Sequence, residues 1–96
     1  MREVIVWPKV HNLLWQKLAK APYDKVVDRL FDQLENHYDR WRKRRHPDDE
    51  TLFVYTVYLA EGETWHTFEF HVDDTITDSH LVVLDAVHAV GKVRIQ

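Results

Sequence analysis

The stretch from Pro22 to Arg45, PYDKVVDRLFDQLENHYDRWRKRR, limits the possible folds more than any other part of the chain. Val27, Leu30, Phe31, Leu34, Tyr38 and Trp41 recur at steps of three and four residues, so they line one side of an α-helix. Asp28, Asp32, Glu35, Asp39 and the arginines fall off that stripe. A helix so one-sided must bury its stripe against another layer. Its ends are marked as well. Pro22 is tolerated in a first helical turn, and Asp24 suits the positive end of the helix. The cations at 42–45 suit the negative end. Pro47 then disfavours helical geometry at His46 and stops the element.

The remaining elements follow from shorter patterns. EVIVW (3–7) is β-branched and reads as a strand that Pro8 ends. KVHNLLWQKLAKA (9–21) carries Val10, Leu13, Leu14 and Leu18 at helical spacing. TLFVYTVYLA (51–60) and TWHTFEFHV (64–72) are strands joined by the turn EGE (61–63), a hairpin. In the second of them His66, Phe68, Phe70 and Val72 point one way. Trp65, Thr67, Glu69 and His71 point the other. DDTITDS (73–79) is a polar connection.

The last stretch, HLVVLDAVHAVGKVRIQ (80–96), is apolar on both faces up to Val90, with Asp85 and His88 as interruptions. Such a run suits a strand covered on both sides, and its valines are mediocre helix formers. A helix capped by Asp78 or Ser79 is the alternative. The strand reading gives the order β-α-α-β-β-β, an α+β fold. A helical hairpin is then packed on a mostly antiparallel four-stranded sheet, and the last three strands are antiparallel. The expected core is Val27, Leu30, Phe31, Leu34, Phe68, Phe70, Val82 and Leu84.

With 96 residues the chain is expected to form a single domain spanning 1–96. It has no cysteine, hence no disulfide framework and no thiolate metal site. The apolar run before Pro8 is too short for a secretory core, and no stretch is long enough to span a membrane. A cytoplasmic protein without membrane contact is expected.

Charge is uneven. Residues 1–50 hold 11 of the 13 Lys and Arg and 9 of the 16 Asp and Glu, so the second half is clearly acidic. Five of the cations sit in RWRKRR (40–45). Arg42, Arg44 and Arg45 could meet RNA phosphates there, with Trp41 as a stacking surface; a solvated helix end is the plainer reading. Seven histidines invite a search for a metal site. His66 and His71 face opposite sides of one strand, and His71 with Asp73 gives only two ligands, so no metal and no cofactor is expected.

A short strand, a helical hairpin and a three-stranded meander resemble the RelE/ParE toxin family. VIVWPKVHNLLWQKLAKAPYDKVVDRLFDQL is similar to that family's first strand and helical pair. WHTFEFHVDDTITDSHLVVLDAVHAVGK is similar to its last two strands, with a final histidine followed by basic residues. The resemblance implies the toxin of a bacterial toxin–antitoxin pair, neutralised by a cognate antitoxin that wraps it. Some members cut mRNA on the ribosome without a metal; others poison DNA gyrase. For a nuclease, the resemblance implies His88, Glu69 and His71 as acid–base groups, and Lys92 and Arg94 as phosphate contacts.

Three features depart from that family's pattern and bear on function. The strands at 51–60 and 64–72 contain no Lys or Arg, Asp85 adds an anion, and the pI is about 6.1. A non-enzymatic binding or inhibitor protein acting through its acidic sheet is therefore the alternative, beside a gyrase-directed toxin.

Overall fold

The computed structural model describes residues 3–41 and 45–92. Its elements are β1 (Glu3–Val6), α1 (Pro8–Lys17), α2 (Lys20–Trp41), β2 (Arg45–His46), β3 (Asp49–Glu61), β4 (Thr64–Asp73) and β5 (His80–Lys92). The strands form one sheet in the order β1-β5-β4-β3-β2. β1 runs parallel to β5, with Val4 opposite Leu81 and Val6 opposite Val83. All other pairs are antiparallel.

The α+β class and the two helices agree with the sequence reading, and residues 81–90 are strand. The strand count does not agree: there are five among the described residues, because Arg45–His46 adds a two-residue edge to β3. The helical pattern up to Arg45 therefore overshoots. Residues 42–44 lie outside the described residues, and Arg45 is already extended.

Local chemistry accounts for the junctions. Pro8 opens α1, where its missing N–H costs nothing. Pro22 sits in the first turn of α2 for the same reason. Gly62 has φ +61 and begins the two-residue link between the paired Glu61 and Thr64. A positive φ at the first link position is the mark of a primed hairpin turn, in which glycine is strongly preferred. Within α2, His37 departs from helical geometry at φ −131 and ψ 25. Just beyond it Tyr38 packs edge-on against Phe53 and donates a hydrogen bond to Asp74.

Both helices cover one face of the sheet. Val10, Leu14 and Leu18 of the first helical segment and Val26, Leu30 and Leu34 of α2 are buried against it. Phe53, Tyr55 and Val57 of β3, Phe68, Phe70 and Val72 of β4, and Leu81 and Val83 of β5 supply the sheet side. The expected stripe is shifted by part of a turn. Val26 is buried, while Val27 and Phe31 are only partly buried at the margin.

A bulge in β5 changes which residues share a face. His71 pairs with Asp85 but Val72 pairs with Val83, so Leu84 is the extra residue. Leu81 and Val83 thus share the helix side with Ala86 and His88. Val82 lies on the opposite side with Asp85, and Leu84 is only partly buried. Uniform alternation along 82–88 puts Val82 and Leu84 on one face with His88. The bulge is what overturns that grouping.

Candidate functional site on the open face of the sheet

The side of the sheet away from the helices carries Val54, Thr56 and Tyr58 of β3, Thr67, Glu69 and His71 of β4, and Asp85 and Val87 of β5. The pairings His71 with Val54 and Asp85, and Glu69 with Thr56 and Val87, put these residues in cross-strand rows. Glu69 and His71 share a side because they are two residues apart on one strand, as the alternation predicted. His71 Nε2 lies 3.2 Å from Glu69 Oε1, and His71 Nδ1 lies 4.0 Å from Asp85 Oδ2. Asp85 in turn lies 3.6 Å from Lys9 Nζ and accepts the backbone N–H of Ala86.

His71 is only 8% exposed, on a face that no helix among the described residues covers. His46, brought in by β2, packs against it edge-on with ring centroids 4.6 Å apart. His46, Glu69 and His71 form a cluster whose ligating atoms all lie within 4.8 Å of one another. His46 was not legible as a site residue. It lies 25 positions before His71, and only the short β2 pairing brings it near.

His88 lies on the other side of the sheet. It pairs with Phe68, stacks on that ring at 4.6 Å, and shares a hydrogen bond of 2.9 Å with His66 Nδ1. Burial pushes the His88 imidazole pKa below its ordinary value, and the neighbouring His66 and Lys17 add to the effect. His66 Nε2 is 3.4 Å from Glu61 Oε1, an ion-pair approach without hydrogen-bond geometry. The sheet therefore separates His88 from Glu69 and His71, and the three cannot converge on one reacting atom.

Of the expected phosphate contacts, Arg45 is exposed at the β2 edge. Lys92 is the last residue of β5, while Arg42, Arg44 and Arg94 lie outside the described residues. The cation that does influence His88 is Lys17, at the end of α1.

Further along the open face, Tyr58, Trp65 and Val87 are 60%, 42% and 52% exposed. Tyr58 pairs with Thr67 and Trp65 with Ala60, so the two rings are diagonal neighbours on adjacent strands. The face thus joins an acidic, histidine-bearing end to an aromatic end.

Topology and face chemistry together define a small α+β protein with two helices on one side of a mixed sheet and another side that no helix among the described residues covers. No family model, no curated protein and no solved structure matches the chain.

Proposed function

We propose that this chain is the toxin half of a bacterial toxin–antitoxin pair, of the RelE/ParE kind, and that it acts by binding its target and not by cutting RNA. The observation that carries the binding part is the uncovered sheet face. It presents Tyr58, Trp65 and Val87 to solvent together, while both helices lie on the other face. Aromatic side chains so exposed are the usual anchors of a macromolecular contact. The toxin part is supported by the order of elements, a strand and two helices followed by an antiparallel meander.

Two features weigh against cleavage. The acid–base candidates are split between the two sides of the sheet. The meander at 51–73 has no cation of its own to neutralise a phosphate. A nuclease reading keeps one observation in its favour, the Glu69–His71 contact, which sets a carboxylate against an imidazole on the open face.

Inducible expression of the chain without a partner tests the proposal. Growth arrest with cellular mRNA intact is the expected result. Arrest with mRNA cut at ribosomes returns the function to the nuclease reading. Normal growth removes the toxin and leaves a binding module that uses the same face.

A further inference from the structure

We propose that His46, Glu69 and His71 form a binding site for a divalent transition metal of the zinc class, where β2 meets the open face of the sheet. This inference stands apart from the toxin reading and holds or fails without it.

The geometry is close to what such an ion needs. Zinc bonds of about 2.0–2.2 Å in a tetrahedron put neighbouring donors roughly 3.3 Å apart. His71 Nε2 and Glu69 Oε1 already stand 3.2 Å apart. The widest separation in the cluster is bounded by 4.8 Å. A modest swing of the His46 ring closes it, and His46 ends a two-residue strand beside a register shift.

The donor set selects the ion class. Two imidazoles and one carboxylate suit zinc and its neighbours, whereas calcium and magnesium take oxygen donors. Three protein donors leave a fourth position for water. That position has access to solvent, because His46 and Glu69 are only partly buried.

The surroundings fit as well. Ligation through His71 Nε2 leaves Nδ1–H directed at Asp85 Oδ2, 4.0 Å away. At this distance the Asp85 carboxylate acts on the ring through its charge; closing to hydrogen-bond distance on ligation would fix the ring and its tautomer. Asp85 is itself held by Lys9 and the Ala86 N–H. His66 and His88 offer no such site. Glu61 approaches Nε2 of His66, whereas His88 meets Nδ1, so the three do not converge.

One local bond reports occupancy. The Asp48 N–H donates to His46 Nδ1 at 3.1 Å. Ligation through Nδ1 takes the accepting lone pair, and ligation through Nε2 leaves Nδ1 carrying the proton. Either way the Asp48 amide loses its acceptor.

The test is calorimetric titration of the whole chain, freed of metal by a chelator, with zinc chloride. One ion per chain is expected, with a shifted Asp48 amide resonance and a raised melting temperature. His46→Ala and Glu69→Gln should each weaken binding at least about tenfold, and Asp85→Asn by about 10–100-fold. His46 lies in a short edge strand, so His46→Ala keeps the test open if a change at buried His71 prevents folding. His88→Ala should leave zinc affinity unchanged. The proposal is overturned if zinc does not bind saturably. It is equally overturned if binding survives both His46→Ala and Glu69→Gln in folded protein, or depends on His88.

Discussion

His66 Nδ1 and His88 Nε2 meet at 2.9 Å, their rings nearly parallel, on the side of the sheet that the helices occupy. One imidazole must donate and the other accept, so the contact needs at least one neutral ring. Protonating both sets two like charges against each other beside Phe68.

This pair predicts a direction for stability against pH. The folded His88 pKa is depressed by burial, then by His66 and Lys17. The folded protein therefore binds fewer protons there than the unfolded chain does. Its contribution is fully present above the ordinary histidine pKa and is lost as pH falls toward the lower folded value. Urea midpoints measured between about pH 8 and pH 5 should fall on acidification through this window. His88→Gln should flatten that part of the curve; an unchanged slope in the variant would refute the assignment.

Leu34 is fully buried where α2 meets the sheet. Leu34→Ala should cost about 2–5 kcal/mol in a denaturant titration. Truncation to alanine at Val27, only partly buried, should cost clearly less. Equal losses at both positions would mean that the buried side of α2 is centred elsewhere.

Gly62 holds a positive φ with open space around it, so an added methyl group meets no neighbour. The cost of Gly62→Ala is then conformational alone, about 1–2 kcal/mol. An Asn at the same place should recover part of it, since asparagine tolerates this region better. Thermal melts of the three proteins give the comparison, and an Ala variant as stable as the parent would contradict the turn assignment.

The open-face reading separates two sets of variants in a growth assay. Tyr58→Ser and Trp65→Ser leave the helix-side core untouched and should relieve the arrest caused by the unpartnered chain. His88→Ala should not relieve it. The opposite pattern, arrest dependent on His88 and indifferent to Trp65, would sink the binding reading.

The helices and the hairpin were legible because each is written in a local period, such as Leu30 to Leu34 or Phe68 to Phe70, and the final strand because its valine-rich run is apolar on both faces. What the sequence hid is non-local. The pairing of β1 with β5 joins residues 3–6 to 80–83, and no local pattern records it. The bulge at Leu84 is a single extra residue in an apolar run, and it moved Val82 from the face of His88 to the face of Asp85. Glu69 and His71 could be placed on one face by counting along their strand. Their third neighbour, His46, sits in an edge too short to show alternation.

The parallel pairing of the first strand with the last also sets an order of events. β1 leaves the ribosome long before its sheet neighbour, which begins at His80, has been made. The helical hairpin follows with Leu30 and Leu34 ready to bury, yet the Phe68 and Leu81 surfaces that receive them come later still. Loop closure on this scale slows folding, and exposed apolar stripes invite other contacts meanwhile. Through most of its synthesis, then, the chain is a sticky helical pair waiting for its own sheet.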